Sequence, residues 1–279
     1  MTAHLVDRKL DDVVDKAVVD GAASVPVRIP ASVMSDALGQ CRLLLISNSN
    51  HRGMGFLAHC VADIEGFLGA TRQLLFIPYA LDDHDRYAEI VCERFAQLQI
   101  TVRSLHSEPN PHRAVREASA FFVGGGNTFV LLKRLYDLGL LEAIRERVWS
   151  GVPYIGSSAG TNIATASIHT TNDMPVVMPP SLRALEIVPF NINPHYVDPD
   201  PDSRHAGETR DQRIREFHQY NDAPVVGLRE GAALRLEGRE LRLIGTGGAR
   251  IFRRGEPPVE VSPGERLDAL LLPVMAHAS

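Results

Sequence analysis

From residue 41 onward the apolar positions fall into short unbroken runs separated by longer amphipathic stretches. Leu43-Leu44-Leu45-Ile46, Leu74-Leu75-Phe76-Ile77 and Phe121-Phe122-Val123 have no polar interruption, as expected of strands covered on both faces. Residues 100–105 alternate and predict another strand, and Val152-Pro153-Tyr154-Ile155 one more. Between them, residues 56–68, 85–97, 113–118 and 128–149 read as helices, the last broken at Gly139. This alternation predicts an α/β fold, with a mostly parallel sheet and helices on both faces.

After residue 223 the pattern changes. Pro224 to Leu228, Ala233 to Leu236, Leu241 to Ile244 and Ile251-Phe252 are short strands split by Gly-rich turns. They predict a C-terminal antiparallel meander closing one edge, too small to stand as a domain. At the other end, Leu5, Val6, Leu10, Val13, Val14 and Val18 lie at helical spacing before Pro26 and Pro30. Residues 1–40 are therefore expected to be an extension carrying one amphipathic helix, and residues 41–279 a single α/β domain.

Composition narrows the function classes. Of 279 residues, 44% are hydrophobic and 23% charged, ordinary for a globular protein. A net charge of −5 speaks against nucleic acid as a partner, which calls for a basic stripe. Cys41, Cys60 and Cys92 are too few and too scattered for a disulfide framework or a zinc site. No basic-then-apolar leader opens the chain and no apolar run reaches membrane-spanning length. The expectation is a soluble cytoplasmic protein without metal or other cofactor.

Chemistry concentrates at the ends of the predicted strands, where sites form in parallel sheets. Gly156-Ser157-Ser158-Ala159-Gly160 joins a strand to a helix. Such a Gly-x-Ser-x-Gly turn lifts its central hydroxyl, here on Ser158, above the sheet and aims the Ala159 N–H at a developing oxyanion. Gly124-Gly125-Gly126-Asn127-Thr128 also follows a strand and opens a helix. It lacks the Gly-Lys-Ser/Thr ending of a phosphate loop, so a close backbone approach to substrate fits better, with Gly126 N–H as a second oxyanion donor. Gly53-Met54-Gly55 imitates a dinucleotide fingerprint, but its glycines come too late after the strand. Asp198-Pro199-Asp200-Pro201-Asp202 lacks the Gly and Glu of a calcium loop and reads as a stiff acidic turn.

A serine nucleophile needs a base and an acid behind it. His195, after Pro194 and the apolar run ending at Phe190, suits the base. Asp173, in Thr170-Thr171-Asn172-Asp173-Met174-Pro175, and Glu230, in Gly227-Leu228-Arg229-Glu230-Gly231, are both candidate acids. Sequence order does not choose between them, because triads are defined by geometry. Arg210 and Arg213 open a helix and could clamp a carboxylate.

Together these segments resemble the peptidase E, or α-aspartyl dipeptidase, family. The similarity lies in Gly-Gly-Gly-Asn-Thr, Gly-x-Ser-Ala-Gly, Thr-Thr-Asn-Asp-Met-Pro, Asn-Pro-His, Gly-Glu-Thr-Arg-x-Gln-Arg-Ile-Arg-Glu and Gly-Leu-x-Glu-Gly, in order over residues 124–231. The resemblance implies a class I glutamine-amidotransferase-like fold and a serine peptidase that cleaves short peptides beginning with aspartate. It implies Ser158 as nucleophile, His195 as base, and Gly126 and Ala159 as oxyanion donors. It has the third triad member at Glu230 or Asp173; Glu230, ending a strand, is preferred, with Asp173 shaping its loop. Arg210 is expected to hold the substrate's aspartate side chain, with Asn127 beside it on the substrate. Departures are Ser157, where some relatives carry Trp, Thr161 in place of Ala, and the 40-residue extension, which could mediate a homodimer. Two alternatives stand beside this reading: a cyanophycinase-like peptidase acting on β-Asp-Arg, and a non-catalytic protein that binds acidic peptides.

Overall fold

In a computed structural model the described residues are 31–51, 53–199 and 207–272. The amphipathic helix expected near the N-terminus lies outside them, as does most of the acidic turn at residues 198–202. The apolar runs form five parallel strands, β1 (Arg42–Ile46), β2 (Gln73–Ile77), β3 (Thr101–Ser104), β4 (Phe121–Val123) and β5 (Tyr154–Ser157). Their side chains alternate between two cores. Leu43 and Leu45 face one layer with Phe121 and Tyr154, while Leu44 and Ile46 face the other with Phe76 and Phe122.

The helices cover both faces, as the alternation predicts. After α1 (Ala31–Leu38), α2 (Val61–Leu68) and α3 (His84–Ala96) pack on the second layer through Ile64, Phe67, Val91 and Phe95. On the first layer, α4 (Pro111–Glu117), α5 (Thr128–Asp137), α6 (Leu141–Trp149) and the short α7 (Ala159–Ile163) contribute Val115, Leu131, Leu135, Ile144 and Ile163. Two helix expectations shift in detail. The helix expected from residue 56 starts at Val61, because Leu57 takes a left-handed conformation and a 3-10 turn intervenes. The stretch 128–149 divides into α5 and α6 at Gly139, whose φ of 63° reverses the chain.

The C-terminal strands divide between two sheets instead of forming one meander. Beyond β6 (Asn191–Tyr196) and β7 (Val225–Arg229), the hairpin β8 (Ala232–Glu237) and β9 (Glu240–Gly245) closes the main sheet beside β1, in the order β3-β2-β4-β5-β1-β8-β9. The remaining strands, β10 (Ala249–Phe252) and β11 (Val259–Val261), form a second sheet with β7 and β6, in the order β11-β10-β7-β6. Its β6–β7 pair is parallel. The apolar run Ile187–Phe190 is buried but is not the strand, which starts one residue later. An α8 helix (Arg210–Tyr220) joins β6 to β7.

Gly160 is where strand, turn and helix meet most closely. A Cβ there would lie 2.1 Å from the carbonyl oxygen of Val123, a backbone atom that no rotamer change can move. Gly160→Ala is therefore expected to lower stability by about 3 kcal/mol, read as a shift of the urea unfolding midpoint at unchanged slope.

Candidate active site

The turn between β5 and α7 holds Ser158 at φ 51° and ψ −105°, a conformation that costs a non-glycine residue about 1–3 kcal/mol. The neighbouring bonds impose it. Ser158 N–H donates to the carbonyl of Ile46 at the end of β1, 3.0 Å away. The Thr161 hydroxyl lies 2.7 Å from the same carbonyl and 2.9 Å from that of Gly156. Thr161 thus pins α7 to two strand ends. Ser157 is fully buried and shares a 2.7 Å hydrogen bond with Ser49.

His195 approaches from the second sheet. The β6–β7 register slips between Pro194 and Tyr196, a β-bulge that re-aims the intervening side chain. His195 sits in that bulge at φ 52°. Its N–H donates to Ser47 Oγ at 2.9 Å, and Ser47 donates in turn to the Leu228 carbonyl at 2.8 Å. The result is a chain of three groups. His195 Nε2 lies 3.1 Å from Ser158 Oγ, and His195 Nδ1 lies 2.9 Å from Glu230 Oε1. With Glu230 ionised, Nδ1–H donates to the carboxylate, leaving the Nε2 lone pair to accept the serine proton. Glu230 stands in the turn from β7 to β8, where Gly231 N–H donates to Asn48 Oδ1 at 2.8 Å.

Asp173, the other candidate acid, is engaged elsewhere. Its Oδ2 accepts from the Thr128 N–H at 2.8 Å, the Thr128 hydroxyl at 2.5 Å and the Thr171 hydroxyl at 3.1 Å. It therefore places a negative charge at the N-terminus of α5, where the helix dipole favours one. Asn127 is occupied at both ends of its amide. Its Oδ1 caps α5 by accepting from Phe129 and Val130, and its Nδ2 donates to the Met174 carbonyl at 2.9 Å. That arrangement ties the 172–174 loop to the glycine turn and leaves the second N–H of Nδ2 for a substrate contact.

Gly126 has a φ of 137°, and a Cβ on it would strike the Ala80 carbonyl at 2.3 Å. A Cβ on Gly125 would lie 3.1 Å from Ser158 Cβ, so this turn runs directly past the serine. Gly126 N–H has no acceptor among the described residues. Ala159 N–H precedes the hydrogen-bond ladder of α7, so the helix itself does not use it.

Arg210 starts α8 behind a capping box formed by Thr209 and Gln212. It is half-buried and has no ion-pair or hydrogen-bond partner among the described residues. Burial, and then the nearby Arg213, lower its pKa, while Asp173 acts in the opposite sense. A guanidinium partly withdrawn from water without a partner is prepared for an anion. Arg213 reaches Glu208 at 3.6 Å.

The structure thus brings Ser158, His195, Glu230, Gly126 and Ala159 to the carboxyl ends of the strands. Sequence reasoning missed Ser47 and Asn48, which hold the backbone at His195 and after Glu230. Their only signal was position: both directly follow β1, level with the elbow. Among the described residues no three His, Cys, Asp or Glu side chains are arranged to hold a metal, and no helix is long and apolar enough to cross a membrane.

The profile described as "Peptidase family S51" matches residues 43–244. The chain belongs to that family. A Streptomyces coelicolor protein named "Peptidase E" is 53% identical over 229 residues, covering 82% of this chain and 94% of its own. A Drosophila melanogaster protein named "Probable alpha-aspartyl dipeptidase" is 50% identical over 232 residues, covering 82% and 97%. The crystal structure of a peptidase from an acI-B1 actinobacterium superposes with a TM-score of 0.62 at 16% identity, over 82% of this chain and 98% of that one, which supports the shared fold. The resemblance drawn from the six motifs is borne out at the level of the family.

Proposed function

We propose that this protein is a serine dipeptidase that hydrolyses short peptides with an N-terminal aspartate. The observation that carries the proposal is the continuous line Ser158 Oγ–His195 Nε2, His195 Nδ1–Glu230 Oε1 at 3.1 and 2.9 Å. In this mechanism Ser158 Oγ attacks the peptide carbonyl carbon as His195 Nε2 takes its proton. Gly126 and Ala159 N–H groups hold the resulting oxyanion, at roughly 3–4 kcal/mol per donor. The C–N bond breaks as the imidazolium returns that proton to the leaving amine, and an aspartyl ester remains on Ser158. Water then attacks the ester, gives one proton to His195, and releases aspartate as the proton passes back to Ser158. Cys41 and Cys60 offer no rival nucleophile, since burial pushes both thiols up to about 12.

Arg210 supplies the preference for aspartate in this reading. A carboxylate entering a desolvated site needs a cationic partner, and an asparagine of the same shape leaves the guanidinium unpaired. The test is a panel of X-Leu dipeptides with X as Asp, Asn, Glu and Ala, run alongside a β-Asp-Arg substrate. Asp-Leu is expected to dominate; hydrolysis of β-Asp-Arg alone would point to the cyanophycinase-like alternative. Arg210→Met is expected to lower kcat/KM for Asp-Leu by roughly 10²–10³-fold while leaving the slow hydrolysis of Ala-Leu nearly unchanged. Equal losses on both substrates would remove Arg210 from recognition. The free thiols of Cys41, Cys60 and Cys92 fit a reducing, cytoplasmic setting.

A further inference from the structure

The base and the carboxylate-reading arginine proposed above sit on different elements. His195 lies on β6 and Arg210 on the first turn of α8. Their immediate neighbours in the chain, Tyr196 and Asp211, bond to each other. The Tyr196 hydroxyl donates to Asp211 Oδ1, and both residues are buried, at 2% and 6% exposure. Arg250 Nη1 completes the group, 3.3 Å from Asp211 Oδ2 and 3.4 Å from the Tyr196 hydroxyl.

The Tyr196 end of this contact is rigid. Its ring lies over Gly227 on β7 so closely that a Cβ there would come within 2.7 Å of a ring carbon. Phe252 packs beside it, and the Arg229 guanidinium lies 5.5 Å from the ring centroid. Arg229 is itself held by Asp198 through bonds of 2.7 and 2.6 Å. The α8 end is fixed internally by the Thr209–Gln212 capping box, but among the described residues Arg210 has no side-chain partner to locate it. Its position therefore follows the backbone of that turn, and the buried side chain leaving the turn is Asp211. Burial and Asp211 both raise the Tyr196 phenol pKa, so the hydroxyl remains a donor throughout any working pH.

We infer that the Tyr196–Asp211 bond is a strut that sets the distance between His195 and Arg210, making Tyr196 and Asp211 positioning residues for recognition of the aspartate side chain. This rests on the reading of Arg210 given above. The strut acts on the substrate's grip and leaves the Ser158–His195–Glu230 line untouched, so its loss separates KM from kcat.

The test uses the full chain. Tyr196→Phe removes one oxygen and keeps the ring. It is expected to raise KM for Asp-Leu about tenfold, with kcat within about twofold, since small misplacements of a positioning group carry large penalties. Asp211→Asn keeps an acceptor for the hydroxyl and is expected to retain a lower KM than Asp211→Ala. An unchanged KM in Tyr196→Phe, or equal effects of Asn and Ala at position 211, overturns the strut; the position 211 pair decides alone if Tyr196→Phe does not fold. If the unmutated chain hydrolyses no Asp-first peptide, the functional reading falls separately. Amide hydrogen exchange then decides the strut: about tenfold faster exchange over residues 210–214 in Tyr196→Phe supports it, and unchanged exchange there overturns it.

Discussion

Ser158→Ala is expected to reduce kcat/KM for Asp-Leu by roughly 10⁴–10⁶-fold, the range seen when a triad nucleophile is removed. The substitution deletes the atom 3.1 Å from His195 Nε2 and little else. Alanine keeps the Cβ, so the strain at φ 51° is common to both proteins, and the Ser158 N–H bond to Ile46 survives. Stability should therefore change by less than about 1 kcal/mol, and a thermal melt can separate lost chemistry from lost fold. Arg210 and the glycine turn remain, so calorimetry on the variant should return a dissociation constant for Asp-Leu within about threefold of the KM-derived value where chemistry is slow. Turnover above about one-hundredth of the unmutated rate would mean that another group attacks the carbonyl. Binding without turnover in the unmutated protein would instead favour an acidic-peptide-binding protein.

Legibility in the sequence followed the strength of local signals. Unbroken runs such as Leu43–Ile46 announce strands buried on two faces, and β1, β2 and β4 appear where those runs lie. Ser158 was legible because its turn demands small residues on a strand-to-helix path, and Gly156 and Gly160 both face backbone atoms too close for a Cβ. The second sheet was hidden because β6 reads Asn-Ile-Asn-Pro-His-Tyr. That strand is polar in composition yet nearly all buried, since Asn191 and Asn193 bond to the loop at residues 167–172. No periodicity reports such side-chain pairing. The bulge at His195 depends on a register slip against β7, which no local pattern shows. Asn127 sits beside Gly126 and also caps the helix that begins at the very next residue, a second role for its side chain that the glycine turn alone does not announce.

The choice between the two acids gives the sharpest contrast available in this site. Glu230→Gln should lower kcat by roughly 10³–10⁴-fold, the penalty for putting an amide where the carboxylate orients the imidazole. Glutamine has nearly the shape of glutamate, but it does not stabilise the imidazolium and can turn an N–H toward Nδ1. The ring then favours the tautomer whose Nε2 carries hydrogen, which cannot accept the Ser158 proton. Asp173→Asn removes a charge that touches Thr128 and Thr171 but not His195. The asparagine oxygen can still accept from the Thr128 N–H, so the expected loss is about 1–2 kcal/mol of stability, with KM unchanged or lower, because the negative charge that acts on Arg210 in competition with the substrate carboxylate disappears. Its kcat should stay within about tenfold of the unmutated value. Saturating Asp-Leu kinetics on the two folded variants separate the roles: a kcat loss in Asp173→Asn equal to that in Glu230→Gln would mean that the 171–174 loop swings its carboxylate onto His195 when substrate binds, and the 2.9 Å bond to Glu230 would then describe only the resting enzyme.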